Sequence, residues 1–325
     1  MPSAATLLRL IIPLGAGVLA STCAPATEFP QRPLRMIVTF PAGSQTDVIA
    51  RVVAARLGDT LGQQVIVDNR VGASGALGSE LAKNAPADGH TLMMASFATF
   101  ALLPALKPRL AYDPERDFAA LTRVASGAFV MAVQSAAGIG SVAELVKLAR
   151  AQPGRLNYGS SGNGSIQHLA GAMFDLQAGV TTVHVPYKGA VLALADLIGG
   201  QLQYIVASPT IVQPHARAGR LRMLATTGAR RDPLLPELPV LADTVPGFEI
   251  TSWQGLVLPA RTPPAVQSRL HAETVRLLQL AEVRELLAVQ GVTALSETPA
   301  AFAAFIKAER ARIARVARSV DIALD

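Results

Sequence analysis

The residues best placed to do chemistry lie in NYGSSGNGSIQHLAG, Asn157 to Gly171, where four glycines and three serines surround one histidine. That composition suits either a nucleophile's seat or a cradle for a bound anion. A dinucleotide loop needs G-x-G-x-x-G, and Gly159, Gly162 and Gly164 come in the wrong order. A nucleophile elbow needs G-x-S-x-G, and from Gly159 the last position is Asn163. Both enzyme readings fail on spacing. A hydrolase using Ser160 or Ser161 with His168 stays an alternative, although spacing places no carboxylate beside them; Asp175 lies further along the same segment. The other histidines offer no pair: His90 and His184 fall in or beside predicted strands, His215 and His271 on predicted helices, and no H-x-x-x-H occurs. No metal, cofactor or catalytic residue is expected.

The elements that must position this loop follow from hydrophobic patterning. Strands are predicted at 35–40, 64–68, 91–96, 129–133, 156–158, 182–185, 202–207 and 221–226. Helices are predicted at 46–61, from about Ala76, at 141–151 and at 191–198, with Ser44/Asp47 and Ser141/Glu144 as capping boxes and Gly199-Gly200 as a stop. Strands alternating with helices predict an α/β fold of parallel sheets covered on both faces. A chain of 325 residues is long enough for two domains, and no Pro- or Ser-rich linker separates them, so strands should cross between two lobes.

In such sheets ligands sit at the carboxyl ends of strands, against helix N-termini. Three loops occupy that position: Pro41-Ala42-Gly43-Ser44-Gln45-Thr46, Ala95-Ser96 and Gly159-Ser160-Ser161-Gly162-Asn163-Gly164-Ser165. Small residues admit a ligand close to the backbone, and free helix N–H groups with hydroxyls supply donors for an anion. One such loop is usually a turn and cap; three of them point to a site. Asp47 reads equally well as a plain helix cap and as a ligand-selecting carboxylate. Tyr187 and Lys188 follow a strand and could face the cleft, with Lys188 the candidate for a distal carboxylate. Phe97, Ser208 and Thr210 complete the set. His168, one turn into its helix, is expected to pack behind the loop.

Composition narrows the partner. The charge is +6 with half the residues hydrophobic and 5% aromatic. The basic residues are scattered, and the densest group, Lys307 to Arg318, fits a solvated helix face, so no nucleic-acid partner is expected. Residues 1–26 read as a secretory signal: Arg9, an apolar run from Leu10 to Ala20 interrupted by Pro13, then Ala24-Pro25-Ala26. The run is too short to span a membrane. The single cysteine, Cys23, follows Leu19-Ala20-Ser21-Thr22, similar to a lipoprotein site, but Thr22 fits poorly before a lipidated cysteine. Cleavage near Ala26 and a periplasmic location are the expectation.

Five segments carry a family resemblance. RPLRMIVTFPAGSQTDVIAR, VIVDNRVGASGALGSELAKNAPADGHTLMM, LNYGSSGNGSIQHLAGAMF, VHVPYKGAVLALADLIGGQ and LPELPVLADTVPGFEITSWQGLVLPARTP resemble, in order, the Bug-type receptors of tripartite tricarboxylate transporters. The resemblance covers nearly the whole chain after Ala26. It implies a two-lobed, type II periplasmic-binding-protein-like fold, each lobe a mainly parallel sheet flanked by helices. The expected division is 27–124 with 248–325 for one lobe and 125–247 for the other. It further implies a monomer that binds a small carboxylate between the lobes and delivers it to membrane subunits, or presents it to a membrane sensor. By resemblance, Ala42, Gly43, Ser44, Thr46, Asp47, Ser160, Gly162, Asn163 and Ser165 hold the ligand; Ser96, Tyr187 and Ser208 are expected beside them from their own positions at strand ends, not from the resemblance. Four positions depart from the family's pattern: Ser44 and Ser74 stand for Gly, Val71 for Pro and Ala172 for Glu.

Overall fold

A computed structural model describes residues 29–107 and 109–319; the expected signal segment and Cys23 lie outside the described residues. In chain order the elements of the first lobe are β1 (Leu34–Val38), α1 (Gln45–Leu61), β2 (Val65–Asn69), α2 (Ala76–Lys83), β3 (Thr91–Ser96), α3 (Leu103–Leu106) and β4 (Phe118–Ala128). The second lobe contains β5 (Val130–Gln134), α4 (Val142–Ala151), β6 (Asn157–Ser160), α5 (Ile166–Ala178), β7 (Val183–Pro186), α6 (Ala190–Ile198), β8 (Tyr204–Ala207), α7 (Pro209–Arg217) and β9 (Leu221–Thr226). The chain then returns to the first lobe through β10 (Thr251–Pro259), α8 (Pro264–Leu277), α9 (Ala281–Val289), β11 (Thr293–Ala294) and α10 (Pro299–Ser319).

Two sheets result, ordered β11-β4-β10-β3-β1-β2 and β7-β6-β8-β5-β9. Each site-bearing half is parallel: β1 lies between β2 and β3, and β6 between β7 and β8. The remaining pairings are antiparallel, which corrects the expectation of mainly parallel sheets. The reason is the crossing. The strand that enters each lobe from the other, β10 in the first and β5 in the second, arrives from the cleft side and runs against its neighbours. Sheet membership changes at Phe129, because β4 stays paired with β10 as far as Ala128.

Thr227, fully buried, ties the two crossings together. Its Oγ1 accepts from the Phe129 amide at 2.8 Å and donates to Ile250 O at 2.7 Å, while its backbone bonds Phe129 O and the Ile250 amide. The first-lobe sheet is packed on one face by α1, α8 and α9 through Ile49, Val53, Leu270 and Leu287, against Met94 and Leu256 of the strands. Trp253 and Phe302 pack edge to face on the other side, with ring centroids 5.8 Å apart.

One departure from the family pattern has a visible structural consequence. Ser74 adopts φ 56°, the left-handed region that glycine enters without a Cβ penalty. Ser74→Gly is therefore expected to stabilise the protein by roughly 0.5–1 kcal/mol, the relief of strain exceeding the extra entropy of the unfolded glycine. A rise in Tm of ~2 °C checks this; a fall would refute it.

Candidate functional site

The first half of the site is the loop joining β1 to α1. Ser44 is the N-cap of α1, and its Oγ accepts from the Asp47 amide at 3.3 Å. The Asp47 carboxylate does not close the box on the Ser44 amide, which bonds Pro41 O instead. It accepts from the Gly43 amide at 2.9 Å, from Arg51 Nε at 2.9 Å and from Asn69 Nδ2 at 2.8 Å. Burial pushes the Asp47 pKa up, but the bonds from Arg51, Asn69 and Gly43, with the Arg51 charge, outweigh it and hold it below the ordinary carboxylate range. A 1% exposed carboxylate with these partners braces the loop, so the structure favours the cap over the ligand-selecting role for Asp47. Gly43 at φ 82° makes the turn. Ala42 and Gly43 are exposed, Ser44 is half-buried and Thr46 is buried at the first turn.

The second half is the loop joining β6 to α5. Ser165 is the N-cap, its Oγ accepting from the His168 amide at 3.2 Å. Ser160 is buried, and its Oγ meets the Gly162 amide at 3.1 Å, Gly162 O at 3.1 Å and His184 Nε2 at 2.6 Å. The Gly164 amide donates to His168 Nδ1 at 3.2 Å, and Ser161 Oγ to Gln167 Oε1 at 2.8 Å. Gly162 lies at φ 128° against Tyr187 O, and Asn163 is exposed at the tip.

The amides of Gly43, Gly162 and Gly164 are thus consumed inside their own loops. Among the donors left for a ligand are the first-turn amides Gln45 and Thr46 of α1, and Ile166 and Gln167 of α5, for which no acceptor is seen among the described residues. Sequence inspection did not single out Gln45, Ile166 or Gln167 as donors, because the signal is positional: they are N1 and N2 behind a serine cap. Two helix N-termini that end in free N–H groups can hold a carboxylate or another small anion.

The remaining expected residues divide. Ser96 ends β3 opposite Gln254 of β10; it is buried and pairs with Thr99, Oγ to Oγ1 at 3.1 Å. Phe97 is buried in the core. Ser208 caps α7 in contact with Thr210 at 2.8 Å. Both face Gly291 of the first lobe, where an added Cβ would sit 2.9 Å from Thr210 Cγ2 and 3.9 Å from Ser208 Oγ. Gln45 reaches the same corner, donating to Gln290 O at 2.8 Å, so the first anion loop and the second lobe meet there. Tyr187 turns its hydroxyl onto Asp196 of α6 at 2.6 Å, which raises its pKa to about 12 by burial and by that carboxylate. Its phenol is hydrogen-bonded to α6 in this structure. Lys188 is exposed.

His184 is the group sequence reasoning missed. It lies beside Tyr158 in the β6–β7 register, and only that pairing brings it under Ser160. The serine contact belongs to His184 and not to His168. Asp175, the carboxylate considered for a triad, accepts from the Thr182 amide and Oγ1, each at 2.8 Å, so it orients neither imidazole. With Ser160 buried, the arrangement lacks the exposed nucleophile and oriented base of acyl transfer.

A cavity of about 650 Å³ lies elsewhere, lined by Arg51, Ala55, Gly58, Gln63, Gln64 and Ile66. It follows the C-terminal half of α1 and the start of β2, the end of the sheet opposite the anion loops. The first-turn residues of α1 and α5 are not among those lining it, so the loops carry the candidate assignment.

Comparison with known proteins identifies the family. Residues 49–322 match the model of the tripartite tricarboxylate transporter family receptor. The UPF0065 protein in the tcbD-tcbE intergenic region of Pseudomonas sp. (strain P51) is 36% identical over 273 residues, 83% of this chain and 81% of that one. Among solved structures, R. palustris Rpa4515 with adipate is 33% identical with a TM-score of 0.78, covering 91% of this chain and 99% of that one. MatC from Rhodopseudomonas palustris with bound malate is 28% identical with a TM-score of 0.73, covering 89% and 99%. With the family model matching residues 49–322, most of its length, this chain belongs to the tripartite tricarboxylate transporter receptor family.

Proposed function

We propose that the protein is a periplasmic solute receptor that captures a small organic carboxylate between its lobes and hands it to the membrane subunits of a transporter, without catalytic turnover. The observation that carries this reading is the pair of helix N-termini, α1 and α5, each ending in two amides with no internal acceptor. The ligands of two relatives, adipate and malate, are carboxylates and support it. Ala42, Ser44 and Thr46 would contact the anion from the first lobe, and Ser161, Asn163 and Ser165 from the second. Ser96 and Ser208 would line the cleft between them, and Gly43, Asp47, Ser160 and Gly162 would shape the loops. Export by the N-terminal signal and action as a monomer belong to the same reading.

Energies suit such a role. A hydrogen bond to a charged group contributes about 1.5–3 kcal/mol and a helix terminus about 0.3–1 kcal/mol. Four amides, less the cost of association, give roughly micromolar affinity. Because the donors come from both lobes, the ligand favours the closed arrangement, and the Phe129–Thr227–Ile250 knot is where the crossing strands would flex.

Thermal-shift measurement of the mature protein against mono-, di- and tricarboxylates, amino acids and neutral solutes tests this. A ligand at 100 times its Kd should add about 2.7 kcal/mol and raise Tm by several degrees. Adipate or malate is expected among the stabilising compounds. Stabilisation by a neutral or cationic solute, with none from any carboxylate, would overturn the assignment.

A further inference from the structure

Behind the second anion loop two imidazoles lie face to face. The rings of His168 and His184 are 3.7 Å apart at 9°, the closest and most nearly parallel ring pair among the described residues. The stack continues inward, with Tyr158 5.1 Å from His184 and Tyr204 stacked on Tyr158 at 5.4 Å. Each imidazole holds one part of the loop: His168 Nδ1 accepts from the Gly164 amide, and His184 Nε2 meets Ser160 Oγ.

Hydrogen-bond logic assigns the protons. His168 Nδ1 accepts an N–H, so that nitrogen is bare and the ring proton sits on Nε2. Ser160 Oγ has one proton, which Gly162 O can take, and two acceptor positions, which the Gly162 amide and a His184 Nε2–H fill. All contacts are satisfied at once when both rings are neutral. A proton on His168 Nδ1 would expel the Gly164 amide and place a cation in a stack with no counter-charge.

We propose that the His168–His184 stack is the positioning element of the second-lobe anion loop, holding Ser160 to Ser165 in its binding shape only while both rings are neutral. The inference rests on the carboxylate-receptor reading for the identity of the anion. His168 and His184 act through the loop, leaving the ligand to the amides of Ile166 and Gln167.

The surroundings agree. Tyr158 of β6 and Tyr204 of β8 are phenols whose pKa burial raises, so they stay neutral. Asp175 of α5 is bonded to Thr182, and Asp196 of α6 to the Tyr187 hydroxyl; among the described residues no carboxylate bonds either imidazole. Lys188 after β7 is exposed. Burial lowers the pKa of His168; for His184, burial and then the charge of His168 lower it to about 4. A depressed histidine pKa means that the docked loop is fully stable above the ordinary histidine range near 6.5 and is progressively lost as pH falls from there toward 4. The receptor should therefore release its ligand on acidification.

The test uses adipate and malate binding by calorimetry from pH 7.5 to 4.5, with hydrogen exchange of the Gly162, Gly164 and Ser165 amides in the ligand-free protein over the same range. His168→Ala should weaken binding about tenfold at pH 7.5 and speed exchange of Gly164. His168→Asn returns an acceptor at the Nδ1 position without a titrating group. It should restore affinity at pH 7.5 and flatten the pH profile. Ratios of wild type to variant cancel the ligand's own titration. Should His168→Ala fail to fold, the His168→Asn profile and Ser160→Ala exchange carry the same test. Affinity that rises on acidification in the wild type but not in His168→Asn would mean that a protonated imidazole attracts the anion directly, and would overturn the proposal. So would a His168→Ala protein with unchanged affinity and exchange. If neither carboxylate binds while loop exchange still follows the imidazoles, the ligand assignment fails and the positioning role stands.

Discussion

Asp47→Ala is expected to destabilise the protein by about 2–4 kcal/mol and to weaken carboxylate binding at least tenfold. The carboxylate holds three donors from three segments: the Gly43 amide of the loop, Arg51 of α1 and Asn69 at the end of β2. Removing it leaves the Gly43 N–H unpaired and opens a void under the first turn. The Arg51 head, half exposed, returns to water and contributes little to the loss. Binding suffers because the Gly43 contact fixes the loop in which the Gln45 and Thr46 amides face outward. The same pair carries a pH signature. The Asp47 pKa lies below the ordinary carboxylate value, so its stabilisation is complete above about pH 4 and is lost as pH falls below it. Urea unfolding of the variant at pH 7 and pH 3 checks both points. A loss as large at pH 3 as at pH 7 would show that the charge is irrelevant and only the packing counts.

Gly171→Ala should cost about 3 kcal/mol despite lying in a helix. Elsewhere in α5 the exchange would gain about 1 kcal/mol of helix propensity. At this position an added methyl would overlap the Tyr158 ring. That ring cannot swing aside, because it sits between His184 at 5.1 Å and Tyr204 at 5.4 Å. The displacement would pass to the imidazole stack, so ligand affinity should fall together with stability. Tyr158→Leu vacates the space, and the double variant should lose less than the sum of the singles. Denaturant midpoints for the four proteins of this cycle give the answer. Strict additivity, or a single variant within about 0.5 kcal/mol of wild type, would show that the helix shifts to make room.

Each substitution touches a partner on another element, Asn69 of β2 for Asp47 and Tyr158 of β6 for Gly171, and this separates what was legible from what was not. Strands such as Thr91–Ser96 and Leu221–Thr226, and the helices started by Ser44 and Ser141, could be placed to within a residue or so from periodicity and caps. β4 and β10 could not. FAALTRVASGA mixes small residues with Thr122 and Arg123, and TSWQGLVLP begins with four residues of mixed character, so neither shows a clean period of two. Their strand state comes from long-range pairing with each other.

The chain's own residues determined the loops, their caps and their preference for an anion. A helix start behind a serine, with small residues before it, leaves the same two amides free in any fold. Tertiary structure alone decided which side chains brace those loops and with which partners. The β6–β7 register brought His184 rather than His168 to Ser160, the end of β2 brought Asn69 to Asp47, and α6 engaged the Tyr187 hydroxyl through Asp196. A hydrogen-bonding group has few partners and short reach, so its role depends on positions to within about half an ångström. Local sequence fixes backbone shape within an element but not the register between elements, and here the register selected the loop's supports.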